Sequence, residues 1–206
     1  MILAYRDRVG GLLLSELGGY LLSPDKAAAG TKRLSNLLHS PKWTAQVVED
    51  ELWQRADQQV HTCQEQGEEA LAIWDSSEWE KPESFEAEGL CAVRSSKAKR
   101  LTHIKPGYYN PPSRPIFVPG MHWLAVLVVG RTAQLGPPLL AVMRWWSSRG
   151  AHASFKRDEE GKLLVERLLV WGRSVVHIFD QGFAGAFWLG VLLAFALRFV
   201  LRWRAD

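Results

Sequence analysis

Only two cysteines occur in 206 residues, Cys63 and Cys91, and no CxxC motif is present. That excludes a disulfide-stapled scaffold and a cysteine-built zinc site, and it predicts a reduced, intracellular setting. Long apolar runs are missing too. The longest, Phe183 to Leu197, has 15 apolar or glycine residues, and Arg198, Arg202 and Arg204 follow at once. A membrane helix needs roughly 20, so the run predicts a buried core helix and no membrane partner. The opening residues, Met1 to Arg8, lack the charged start, apolar middle and small-residue cleavage site of a signal peptide. No internal repeat and no low-complexity tract is present. One absence is local: from Gly89 to Gly120 there is no acidic residue.

What is present reads as a globular chain, with 47% apolar and 23% charged residues. The net charge of +3 is small, so the placement of charge matters more than its sum. Residues 1–68 predict a small helical region. Leu12, Leu13, Leu14, Leu17 and Leu21 lie on one side of a first helix, and Lys32 to Leu38 falls in a second. Ser40 followed by Pro41 predicts the cap and first position of a third helix, in which Val48, Leu52, Ala56 and Val60 recur every four residues. Lys32, Arg33 and Lys42 lie near the loops of this bundle. They serve either as contacts to DNA phosphates or as ordinary solvated surface. The acid-free stretch carries Arg94, Lys97, Lys99, Arg100 and Lys105, with Tyr108, Tyr109 and Phe117 among the cations. One-signed charge interleaved with rings suits a nucleic-acid backbone, because cations release condensed counterions and rings stack on bases.

From residue 69 the pattern predicts β-β-β-α-β-α-β, a mixed α/β domain with five strands. Ala70 to Trp74 and Val175 to Phe179 are apolar strands that each lead to an aspartate, Asp75 and Asp180. Met121–Val129 and Leu139–Trp146 are dense in β-branched and aromatic residues, as central strands are. Asp158 to Gly172 reads as an amphipathic helix, and Arg198 to Trp203 as a half-exposed edge strand. One aspartate after a strand is more often a helix or turn cap. Two in this strand order predict a shared divalent-metal site. His177 alternates to the face opposite Asp180 and reads as core or surface. Glu78 and Glu80, near Asp75, read as solvated loop acids rather than as assistants to it, and Trp145 and Trp146 as core and rim packing rather than as a base-stacking platform.

Several stretches together resemble DDE-type transposases of bacterial insertion sequences, in the group that cuts DNA through a hairpin intermediate. They are Ile73-Trp74-Asp75-Ser76-Ser77, His177-Ile178-Phe179-Asp180-Gln181-Gly182-Phe183, Gly120-Met121-His122-Trp123, Met143 to Gly150 and Gly30 to Ser35. The resemblance implies an RNase H-like mixed five-stranded sheet with flanking helices over 69–206, preceded by an all-α DNA-binding region over 1–68. It implies transposition by metal-dependent hydrolysis and strand transfer at transposon ends, with Mg²⁺, or Mn²⁺ in its place, held by Asp75 and Asp180. The implied partners are double-stranded DNA at transposon ends and, in the full-length protein, a second copy on that DNA. The implied location is the bacterial cytoplasm, associated with the nucleoid. The family's third acid, a glutamate on a helix after an inserted β-rich domain, has no counterpart here, so the expectation is a core truncated after the fifth strand with impaired activity. Two other readings stay open: a non-catalytic DNA-binding fragment, and a small membrane-associated basic protein.

Overall fold

The structure, a computed structural model, describes residues 14–42, 44–84, 89–95, 117–132 and 137–203. Contacts divide the chain into two compact units, before and after the Val48–Glu49 junction. The sequence pattern predicts the boundary after residue 68.

The first unit holds α1 (Leu14–Leu21) and α2 (Ala27–Leu38), joined by a 3₁₀ turn at Pro24–Lys26. The residues these helices bury are Gly18 and Gly30. A Cβ on Gly30 would sit 2.0 Å from the Gly18 carbonyl oxygen, so only glycine permits this crossing. The Thr31 hydroxyl donates to Leu14 O (3.1 Å) or Ala27 O (2.8 Å), tying the crossing by its backbone. Ser40 does not cap a helix. Its hydroxyl accepts from Lys42 N–H at 3.2 Å in a turn, and the next helix, α3 (Ala45–Glu65), begins three residues beyond.

In the second unit α3 packs on a sheet made of β1 (Ala70–Glu80), β2 (Cys91–Arg94), β3 (Phe117–Gly130), β4 (Leu139–Trp146), β5 (Val175–Phe179) and β6 (Arg198–Leu201). The crossovers are α4 (Lys156–Glu166), followed by a 3₁₀ stretch at Leu168–Ser174, and α5 (Ala186–Ala194). The order is β4-β3-β1-β5-β6, and β2 pairs with the opening residues of β3. Strands β1, β3 and β4 form an antiparallel meander, whereas β5 and β6 run parallel to β1. This is the RNase H-like mixed sheet with flanking helices, with a sixth short strand, β2, in what the sequence presents as a basic loop.

Alternation along the strands separates two faces. Ala72, Trp74, Val126, Val128 and Phe179 are buried with Val60 and Cys63 of α3, Leu163 and Leu164 of α4, and Trp188 and Leu192 of α5. Trp53 of α3 stacks on Trp171 at 4.6 Å, and the Trp171 indole N–H donates to Asp57. Arg144 of β4 pairs with Glu49 (2.8 Å) and Glu166 (2.9 Å), which fastens α3 and α4 to the sheet. On the opposite face Leu71, Ile73, Trp123, Leu127, Val129 and Met143 stay half-buried, and Trp79, Trp145 and Val200 are exposed.

The apolar run Phe183–Leu197 is not one helix. A 3₁₀ turn covers Gln181–Phe183, Gly185 precedes α5, and α5 ends at Ala194. Among the described residues no helix is long and apolar enough to cross a membrane.

A candidate two-carboxylate centre

Strand β1 lies beside β5 in parallel register, with Ala72 opposite His177 and Trp74 opposite Phe179. The next residue on each strand is Asp75 and Asp180. The β1–β5 ladder ends at the Trp74–Phe179 pair, and each aspartate is the residue that follows that pair in its own chain segment. The local reasons differ. Strand β1 continues through Asp75 to Glu80, held by pairing with β3, where Asp75 faces Ala125. Asp180 is the first residue past β5. Its Oδ1 accepts the Gly182 N–H at 2.8 Å and caps the 3₁₀ turn. That bond leaves Oδ2 for another partner. Both aspartates are exposed, and neither forms an ion pair among the described residues.

Hard carboxylate oxygens of this kind suit Mg²⁺, which keeps several waters and binds through one or two carboxylates plus phosphate. Among the described residues no group of three or more His, Cys, Asp and Glu is arranged to hold a metal. The donor set fits a partial site, not a closed cage.

The other acids near Asp75 point elsewhere. Glu78 and Glu80 are strand residues, not loop acids, and alternate to the face opposite Asp75. Glu78 lies 3.7 Å from His122 Nδ1, and Glu80 accepts from the Ser95 hydroxyl at 2.7 Å. With Ser76, Arg94 and Lys156 they line a cavity of about 530 Å³. Lys156 Nζ lies 3.3 Å from Ser76 Oγ and 3.4 Å from Glu160, with its charge over the Phe183 ring. Burial pushes the Glu160 carboxyl up, against the pull of Lys156.

His177 is core. It is fully buried, and Trp74 Nε1–H donates to its Nδ1 at 3.0 Å. The ring proton is therefore on Nε2, which is buried and has no partner among the described residues. Burial brings the imidazole down to about 4.

No family model matches the chain, and no curated protein matches it. Among solved structures the chain is similar to the Mos1 transposase paired-end complex with left transposon end, at 9% identity and a TM-score of 0.29. That alignment covers 96% of this chain and 56% of the other, so the chain spans little over half of that transposase chain. Strand order and register define the fold without this likeness.

Of the predicted DNA contacts, Lys32 and Arg33 are exposed on α2, and Lys42 is exposed in the turn before α3. Arg94 is exposed at the end of β2. Lys97, Lys99, Arg100 and Lys105 lie outside the described residues.

Two features were not legible beforehand. One is the polar cavity on the face opposite Asp75. The other is a row of tryptophans on the same face as Asp75: Trp79 meets Trp145 edge-on at 5.7 Å, and Trp145 meets Trp123 at 6.3 Å. The signal for the row was the alternation Asp75, Ser77, Trp79, visible only if the strand is allowed to run past the aspartate.

Proposed function

We propose that this chain acts on DNA at the ends of a mobile element, by metal-dependent hydrolysis and transfer of phosphodiesters, in the manner of the DDE-type transposases its motifs resemble. The observation that carries the proposal is the register that follows Trp74 and Phe179 with Asp75 and Asp180. Asp75 and Asp180 would hold Mg²⁺, or Mn²⁺ in its place, with DNA phosphate oxygens completing the shell. When bound, such an ion supplies Lewis acidity at the phosphoryl oxygens and a more acidic water. The residues themselves contribute two fixed anions at the end of the β1–β5 pairing, and Gly182 N–H orients one of them. Lys32, Arg33, Lys42 and Arg94, together with Lys97, Lys99, Arg100 and Lys105, would meet the backbone phosphates. Each such contact steepens the salt dependence of binding.

One observation favours a second reading. With no third ligand group beside the aspartates among the described residues, the second reading is a chain that binds DNA with little strand transfer of its own. Nicking of a donor-end duplex in Mg²⁺ or Mn²⁺ separates the two. Turnover that disappears in Asp75→Asn and Asp180→Asn supports the enzyme. DNA binding without turnover supports the fragment. Metal-independent cleavage that survives both substitutions overturns the two-aspartate reading.

A further inference from the structure

The β1–β5 ladder stops one residue short of the aspartates, at Trp74 opposite Phe179. Backbone pairing therefore does not by itself fix the spacing of Asp75 and Asp180. What holds the two segments together must lie in the packing beneath them. Trp74 occupies that place. It is buried, it immediately precedes Asp75, and its ring centre lies 5.2 Å from that of Phe179 and 6.1 Å from that of Phe183. Those two phenylalanines bracket Asp180. Phe179 precedes it, and Phe183 ends its 3₁₀ turn, with the Phe183 N–H donating to Asp180 O at 3.2 Å. One indole on the Asp75 segment is thus seated against both ends of the Asp180 turn. By alternation the indole lies on the face opposite the Asp75 side chain, so it acts through the backbone.

The ring is also keyed by a bond. Trp74 Nε1–H donates to His177 Nδ1 at 3.0 Å, diagonally across the strand pair, since His177 faces Ala72. A fully buried imidazole is costly beside an apolar side chain, and its Nε2 has no partner among the described residues. Packing in this cluster does not demand such a bond. Trp188, 5.6 Å from Trp74, buries its own Nε1 with no partner among the described residues. What the imidazole adds is an acceptor that holds the Trp74 ring in one rotamer. Lys156 spans the same two segments, 3.3 Å from Ser76 Oγ and over the Phe183 ring, but its side chain is 42% exposed. The indole is the buried tie.

We infer that Trp74, keyed by His177, is a positioning residue that sets the spacing of Asp75 and Asp180 for a divalent cation. The inference rests on the function proposed above and deepens it. Both residues act through the aspartate segments and touch neither metal nor DNA.

The test uses the full chain and Mn²⁺. Trp74→Phe keeps a ring and removes the donor. His177→Phe keeps a ring and removes the acceptor. His177→Asn restores an acceptor through its carbonyl oxygen. Calorimetric Mn²⁺ affinity is expected to weaken about tenfold in the first two, the lower end of what residues behind metal ligands contribute. His177→Asn should recover most of that loss. The double variant Trp74→Phe/His177→Phe should bind no more weakly than either single one, because both remove the same bond. A purely structural role would lower melting temperatures and leave the affinity of the folded variants unchanged. That result overturns the proposal, as does additive loss in the double variant. If the variants fail to fold by circular dichroism, the unmodified chain decides. Coupling is reciprocal, so saturating Mg²⁺ should slow hydrogen exchange at the Trp74 indole about tenfold, and slow the Trp171 indole, bonded to Asp57, much less. Equal slowing, or none, overturns it. Asp75→Asn and Asp180→Asn are titrated in parallel, and Mn²⁺ binding undiminished in both removes the metal site. Positioning is then read without metal, from the rate at which Asp75→Cys/Asp180→Cys forms a disulfide. Severalfold slowing by Trp74→Phe keeps the positioning role without the metal site. An unchanged rate, or no disulfide in either chain, removes the positioning role as well.

Discussion

His177 carries a titration the fold must resist. Trp74 occupies Nδ1, Nε2 has no partner among the described residues, and burial keeps the ring neutral down to a pKa of about 4. The unfolded imidazole titrates at 6.5. A depressed folded value means the stability is fully present above pH 6.5 and is lost as pH falls toward 4. That loss amounts to about 3 kcal/mol over the window. Glu160 works the other way: burial raises its carboxyl, so its protonated form favours the fold and its contribution declines as pH rises. Urea midpoints at pH 7 and pH 4.5 measure the sum. His177→Phe isolates one term. It should lower stability at pH 7 by about 1–3 kcal/mol, because the Trp74 N–H loses its acceptor, and it should flatten the acid limb. An acid limb unchanged by the substitution would show that His177 does not set it.

Among the elements, the α1–α2 hairpin depends on a single contact type. With Gly18 and Gly30 as its buried residues, backbone approach replaces a side-chain core. Gly30→Ala should force the helices apart at a cost of about 1–3 kcal/mol or more, as overpacking does. Hydrogen exchange should rise across 14–38 and stay unchanged in the sheet. Exchange rising equally in both units would mean that the hairpin is not an independent unit. Glycine inside a helix costs stability on its own; the close crossing accounts for Gly18 and Gly30. The sheet was more legible. Val175 to Phe179 and Ala70 to Trp74 carry the β-branched, apolar signature of buried strands, and both are central. The sequence pattern ends β1 near Asp75, because the residues after it, Ser76, Ser77 and Glu78, have low strand preference. Pairing with the 14-residue β3 overrides that local preference. Strand β2 was hidden for the opposite reason, being four residues long in a basic stretch. The helix predicted to Gly172 stops at Glu166, and the 3₁₀ stretch beyond it contains Gly172 at φ +50°, a conformation that favours glycine. The sequence marks Asp75 and Asp180 because each follows an apolar strand; that Glu78 and Glu80 turn away from Asp75 needs the register.

At the scale of the whole molecule, the metal site proposed at the two aspartates makes a prediction about stability. Strands β1 and β5 run side by side through Trp74 and Phe179 and then present two like charges, with no ion pair to either among the described residues. Like charges in neighbouring positions on a strand pair are destabilising. At an exposed site the repulsion is worth about 1 kcal/mol. A fold under selection for stability alone would replace one of them. Asp75→Asn or Asp180→Asn should therefore raise the melting temperature of the metal-free protein by about 2–4 °C, the shift 1 kcal/mol gives a chain of this size. A bound cation reverses the sign, because a ligand that prefers the native state stabilises it in proportion to its occupancy. Added Mn²⁺ should raise the melting temperature of the unmodified chain and leave both variants nearly unmoved, so the order of stabilities inverts on titration. The inversion distinguishes a metal site from a pair of turn caps. If Asp180 served only to receive the Gly182 N–H, asparagine would keep that bond through its own carbonyl oxygen. Manganese would then move the unmodified protein no more than the variants. Equal shifts in all three proteins would remove the cation from the account and leave the register as architecture alone.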